Sequence, residues 1–329
     1  MKCKSEVDLI EKFMKVWESE NWSPDILTGW NVEFFDIPYL INRMKRLFGD
    51  KYQNRLSPWG RVYEKTVEFR GRVNTSYDIQ GISVLDYYQL YRKFTFGNQE
   101  SYKLDYIANV ELGENKIDYA EYGSLNNLYK ENFQLYMEYN IHDVILVQRL
   151  EDKLKFIEQV MALAYDAKVN FIDTLTTVRP WDIIIHNYLL DRRIVIPQMK
   201  KQSMNRALAG GYVKDPKIGM TKWVVSFDLN SLYPHLIMQY NISPETFVNR
   251  FDKFPSIDEI ISNDVNYAKS DGKYDCAIAA NGCYYSKEKQ GFLPALMEKM
   301  YNDRTEYKKK MIEAKKDYEK TKYKRSEEH

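Results

Sequence analysis

Three aspartates, a tyrosine and a pair of basic residues stand where side chains of their type can do chemistry. Asp228 closes the apolar run Trp223-Val-Val-Ser-Phe227, just before a helical spacing of Leu232, Leu236, Ile237 and Tyr240 begins. That pattern predicts a buried strand leading straight into a helix, with Ser231 as its cap and Pro234 in the first turn. A carboxylate fixed at the end of such a strand is placed to hold a cation, and it is equally the place of an ordinary cap or turn aspartate. Tyr139 and Asp143, four residues apart in a helical stretch, share one face. This arrangement lets Asp143 hold a metal while the Tyr139 hydroxyl orients a water. Asp36, ahead of Pro38, has the position of a helix N-cap. Arg304 and Lys308 are one turn apart in a lysine-rich final stretch, which by itself reads as a solvated helix face.

The elements that must position these residues follow from periodicity and turn chemistry. Glu6 to Glu20 predicts an amphipathic helix, Asp25 to Trp30 a short strand closing at Gly29, and the stretch from Pro38 to Arg46 a helix. Tyr52 to Ile79 is polar and weakly alternating, as in a projecting hairpin. Gly81 to Asp86 predicts a compact strand, with Asp86 capping a helix over Tyr87 to Phe94. Leu150 to Ala167 predicts one continuing helix, and Trp181 begins another with Asp182 in its first turn. Tyr274 to Tyr285 predicts two strands around an Asn281-Gly282 turn, and Gly291-Phe-Leu-Pro294 opens the last helix.

With 329 residues the chain is long enough for two domains. A net charge of +1 gives no global attraction to nucleic acid, so recognition of one has to be local. No apolar run reaches the length of a membrane span, and the three cysteines have neither disulfide-framework nor metal-ligand spacing. A cytoplasmic location, in a host cell if the source is viral, is the expectation.

Asp228-Leu-Asn-Ser-Leu-Tyr-Pro followed by Asn241-Ile-Ser-Pro-Glu-Thr246 resembles the first palm motif of family B DNA polymerases, particularly the replicative enzymes of large tailed phages. Gly29-Trp-Asn31 with Phe35-Asp36-Ile-Pro38, and then Tyr139-x-x-x-Asp143, resemble the second and third motifs of that family's 3′→5′ exonuclease, in the family's order. The resemblance implies a multidomain α/β and α+β chain. Residues 1–155 would be the C-terminal part of a ribonuclease-H-like exonuclease domain, 156–200 a connecting segment, 201–290 a partial palm and 291–329 the start of helical fingers.

The resemblance also assigns roles. Asp228 and the Leu229 carbonyl would bind Mg²⁺ in the palm, and Asp36 and Asp143 would bind it in the exonuclease, two ions per centre in the complete assembly. Magnesium's preference for hard oxygen donors suits all four. Ser231, Leu232, Tyr233, Arg304 and Lys308 would bind the incoming nucleotide, with Tyr233 filling the space of a ribose 2′-hydroxyl. Asn31, Gly210 and Gly211 would contact DNA, although Leu208 stands where the family carries a tyrosine before the glycine pair. The hairpin after Tyr52 would help move a strand between active sites.

Parts of the family pattern are absent. The only Asp-x-Glu is Asp317-Tyr-Glu319 in the charged final stretch, and there is no Asp-x-Asp and no Lys-x-x-x-Asn-Ser-x-Tyr-Gly. The exonuclease's first motif would precede residue 1. The expectation is a polypeptide inactive alone, whose partners are DNA primer-template, dNTPs and complementing polymerase polypeptides, with no membrane. It would be either an internal segment of a longer polymerase or one subunit of a split one. The rivals are a catalytically silent DNA-binding or assembly module and a free-standing nuclease.

Overall fold

The computed structural model describes residues 3–69, 71–196, 213–251, 255–265 and 275–327. The chain divides into two compact units, Met1–Lys201 and Gln202–His329. Gly210, Gly211 and Leu208 lie outside the described residues.

In chain order the first unit contains α1 (Glu6–Trp17), β1 (Ile26–Gly29), α2 (Asp36–Phe48), the hairpin strands β2 (Val62–Phe69) and β3 (Arg72–Ile79), β4 (Ser83–Asp86) and α3 (Tyr87–Phe94). It continues with α4 (Leu104–Leu112), α5 (Leu125–Glu131), α6 (Phe133–Leu154), α7 (Phe156–Ala167) and α8 (Val178–Leu190). Strands β1 and β4 pair in parallel, with Gly29 opposite Asp86. Successive side chains on a strand point to opposite faces, and each face of this pair packs against an apolar core. Ile26 and Leu85 join one core with Tyr87, Leu90, Ile107, Leu146 and Leu150. Leu27 and Val84 join the other with Ile10, Met14, Ile41 and Met44. The first core is roofed by α3, α4, α6 and α7, the second by α1 and α2, so the strand ends are held from both sides. The expected single helix from Leu150 to Ala167 is broken at Lys155, which is left-handed at φ 57°. That turn lets Phe156 and Val160 enter the same core as Leu150.

The second unit contains α9 (Leu232–Gln239), β5 (Phe247–Arg250), α10 (Ile257–Ile261), β6 (Cys276–Ile278), β7 (Cys283–Ser286) and α11 (Phe292–Glu327). Its antiparallel sheet has the order β5-β7-β6, with Gly282 at φ 82° in the β6–β7 turn. The strand expected over Trp223–Phe227 does not form. Residues 224–229 are irregular, and Trp223, Val224, Val225 and Phe227 are exposed. A strand apolar on both faces needs neighbours on both edges, and the described residues supply no ladder partner.

The segment Asn241–Thr246 ties α9 to α11. Asn241 is buried, and its left-handed backbone, at φ 53°, is one that asparagine tolerates. Its Nδ2 donates to the carbonyls of Ser286 (2.6 Å) and Lys289 (2.8 Å), and its Oδ1 accepts from the Gly291 N–H (2.9 Å). Glu245 accepts from the Phe292 N–H at the start of α11 (2.6 Å), where a carboxylate also suits the helix dipole. Gly291 is needed for this approach, because a Cβ there would meet Ser243 Cβ at 2.5 Å. Asn241→Ala leaves the buried Gly291 N–H and the less buried Ser286 and Lys289 carbonyls without their side-chain partner, so a destabilisation of about 2 kcal/mol is expected. Hydrogen-exchange mass spectrometry across a urea series should show it as earlier opening of the second unit, with the first unit unchanged.

Candidate active sites

The first site is a cleft of about 1500 Å³ in the first unit, and its lining includes Asn31, Asp36, Lys116, Tyr139 and Asp143. Asp36 is the first residue of α2 and reaches the cleft from the end of the turn that follows β1. The residue is exposed overall, yet desolvation of its carboxyl raises its pKa, against the opposing effect of its own N–H. Asn31 sits at the start of that turn, left-handed at φ 66°. Tyr139 and Asp143 come from the middle of α6, one turn apart, and both line the cleft.

Asp143 is half-buried. Its Oδ2 accepts from Lys116 Nζ (2.6 Å), and its Oδ1 is buried without a hydrogen-bond partner. A buried carboxylate oxygen with nothing to satisfy it is a donor in want of a cation, and hard oxygen chemistry suits Mg²⁺. Tyr139 is buried between Tyr119, edge-on at 5.4 Å, and Lys116, whose ammonium lies 5.3 Å from the ring centre and 3.3 Å from the hydroxyl. Burial raises the Tyr139 pKa and the Asp143 charge adds to this, against the pull of Lys116, so the hydroxyl stays protonated. For Lys116, desolvation acts to lower the pKa. The bonds to Asp143 and Tyr139 together outweigh it, and the net shift is upward. No group of three His, Cys, Asp or Glu side chains is assembled for a metal among the described residues.

Lys116 is a cleft residue that sequence reasoning misses. It lies in the polar stretch after α4, where no periodicity or turn signature singles it out. Its placement comes from its backbone N–H bonding to Asp105 Oδ1 (2.7 Å) on α4.

The second site lies in the second unit, where α9 packs along α11. Arg304 Nη1 donates to Ser231 Oγ at 3.1 Å, and the His235 ring meets Tyr301 edge-on at 4.7 Å. The Ser231 side chain, expected to cap α9, makes no capping bond. Its backbone is left-handed at φ 53°, which turns the hydroxyl to Arg304 instead. Asp228, Leu229, Leu232 and Tyr233 are exposed beside it in sequence, Asp228 on the unpaired segment rather than at a strand end. Lys308, one turn beyond Arg304 on α11, is exposed. The structure thus joins Ser231 to Arg304, while Tyr233 presents its ring to solvent.

Comparison with known proteins places the chain in a family. The description "DNA polymerase family B, exonuclease domain" matches residues 1–107, and "DNA polymerase family B" matches residues 179–327. The chain belongs to DNA polymerase family B. It is 40% identical to the DNA-directed DNA polymerase of Escherichia phage RB69, over 94% of this chain and 33% of that protein. The enzyme of the same name from Enterobacteria phage T4 is 37% identical, again over 94% of this chain and 33% of the relative. The DNA polymerase delta catalytic subunit of Candida albicans is 27% identical, over 87% of this chain and 27% of the relative. The chain therefore spans about a third of the length of the phage relatives. Among the described residues no helix is long and apolar enough to cross a membrane.

Proposed function

We propose that this chain forms part of a DNA-directed DNA polymerase with a 3′→5′ proofreading exonuclease, working in DNA replication. The first unit is its share of a ribonuclease-H-like exonuclease, and the second is its share of palm and fingers. The observation that carries the reading is the cleft, which gathers Asn31 and Asp36 from one stretch of sequence and Tyr139 and Asp143 from another about a hundred residues on, and leaves a buried Asp143 oxygen without a partner.

In the exonuclease, Asp36 and Asp143 hold Mg²⁺, and Asn31 contacts the DNA strand. The protonated Tyr139 hydroxyl orients the attacking water, while Lys116 steadies that hydroxyl and balances the Asp143 charge. In the palm, Asp228 and the Leu229 carbonyl are the metal-binding oxygens. Arg304 and Lys308 on one face of α11 take the triphosphate oxygens, a guanidinium fork being suited to them. The Ser231–Arg304 bond keeps that guanidinium beside α9 until the nucleotide arrives. Ser231 and Leu232 line the nucleotide's path, and Tyr233 excludes a ribose 2′-hydroxyl. Gly210 and Gly211 approach the template. Mg²⁺, when bound, supplies the charge that stabilises the attacking and leaving oxygens of an in-line displacement.

Each centre has part of its carboxylate shell in this sequence, so the isolated chain is inactive and the partners are primer-template, dNTPs and polypeptides carrying the missing motifs. The test mixes the chain with such a polypeptide and measures Mg²⁺-dependent primer extension and 3′-end removal. Appearance of both activities only in the mixture supports the proposal. DNA binding without either activity identifies a silent module instead.

A further inference from the structure

Asp86 is 1% exposed and stands at the end of β4, directly opposite Gly29 at the end of β1. Its carboxylate accepts three backbone N–H bonds. One comes from Tyr88 (3.0 Å), the cap of α3, and two come from across the sheet, from Asn31 (2.9 Å, to Oδ1) and Glu33 (3.1 Å, to Oδ2). A helix cap needs only the first. The other two seize alternate residues of the turn between β1 and α2, one with each oxygen.

That turn passes its position on to Asp36. The Asn31 carbonyl accepts from the Phe35 N–H and the Val32 carbonyl from the Ile37 N–H, both at 3.1 Å, so the residues on either side of Asp36 are bonded to the clamped turn. The Glu33 side chain is held as well, by Ser76 Oγ of β3 (2.7 Å), Gln89 Nε2 of α3 (2.5 Å) and Lys65 Nζ of β2 (3.4 Å). Burial pushes the Asp86 carboxyl up to about 6 against the pull of its three N–H bonds, with the Glu33 charge adding to the rise. At pH 8 it is ionised, and both oxygens are acceptors.

We infer that Asp86 is a positioning residue of the exonuclease cleft: by holding the Asn31 and Glu33 N–H groups with its two oxygens, it fixes where Asn31 and Asp36 present themselves to metal and strand. This rests on the exonuclease reading of the cleft. No other side chain of similar size serves. An asparagine at position 86 has one accepting oxygen, and its amide would face an N–H that it cannot accept.

The experiment uses the full chain at pH 8, with Mn²⁺ alone as the probe, in four forms: wild type, Asp86→Asn, Asp86→Ala and Asp36→Asn. Backbone hydrogen exchange is followed by mass spectrometry, and Mn²⁺ binding by the paramagnetic resonance signal of the free ion. In both Asp86 variants, exchange over residues 31–37 should quicken by about tenfold or more while α6 keeps its protection, and Mn²⁺ affinity should fall ~10-fold, the usual effect of removing a group that orients a metal ligand. Asp36→Asn should weaken Mn²⁺ binding without quickening exchange at Asn31 and Glu33. Three results overturn the inference. Exchange that rises only in step with the whole first unit reduces Asp86 to a structural residue. Wild-type Mn²⁺ affinity in the Asp86 variants, alongside its loss in Asp36→Asn, sinks the inference alone. Mn²⁺ binding indifferent to Asp36→Asn sinks the metal-site reading and the inference with it.

Discussion

In an assembly completed with the missing motifs, Asp228→Asn should cut nucleotide addition by at least ~10³-fold, with primer-template affinity unchanged. The substitution removes one charge and no volume. Asparagine still offers a carbonyl oxygen, so the loss reports charge rather than shape. A metal that neutralises developing phosphoryl charge is worth several kcal/mol, and each ~1.4 kcal/mol is a factor of ten in rate. The frame around Asp228 is expected to survive, because Ser231 keeps its bond to Arg304 and Asn241 keeps α9 tied to α11. Single-turnover incorporation of one dNTP in Mg²⁺ is the measurement, since it isolates the chemical step from DNA binding. Normal incorporation by the variant would end the proposal for the palm site, whatever the exonuclease half does.

How far the sequence reveals these sites depends on whether the signal is local. Strands β1 and β4 and helices α2 and α6 are legible from local patterning, though the parallel pairing of β1 with β4 is not, and Tyr139 and Asp143 share a face because four residues make about one helical turn. The Asn281-Gly282 turn is legible because a glycine at φ 82° is what such a turn demands. The Trp223–Phe227 run has the local signature of a strand, yet a strand is made by its neighbours, and the described residues provide none. Strand β5 has the opposite history. Its pairing with β7 is bought by the Asn241–Thr246 linkage rather than by alternation, since all four of its residues are exposed. Lys116 and the cross-sheet bonds of Asp86 join residues 27 and more than 50 positions apart in sequence, and no window reading can join them. The candidate carboxylates were thus readable one at a time, and the groups that orient them were not.

Lys116→Met should move metal binding and 3′-end removal in opposite directions. Lys116 and a divalent cation both seek the Asp143 carboxylate, and the ammonium already occupies Oδ2. Removing it ends that competition, so Mn²⁺ should bind ~10-fold more tightly, the equivalent of ~1.4 kcal/mol and within the range of one charge-assisted hydrogen bond. Exonuclease turnover in the completed assembly should nevertheless fall by ~10²-fold, an effect typical of losing a group that positions a proton-bearing partner. Without Lys116 the Tyr139 hydroxyl loses its 3.3 Å partner, and the ring loses the cation on one side while keeping Tyr119 on the other. Asp143→Asn provides the contrast, because it should lose both metal affinity and activity, the latter by about 10³-fold as a carboxylate ligand disappears. Mn²⁺ titration by paramagnetic resonance and quench-flow removal of a mismatched 3′ nucleotide read the two quantities separately. If Lys116→Met weakened Mn²⁺ binding, the ammonium would be organising the carboxylate rather than competing for it. The unpartnered Asp143 oxygen would then no longer count as a metal ligand held in reserve.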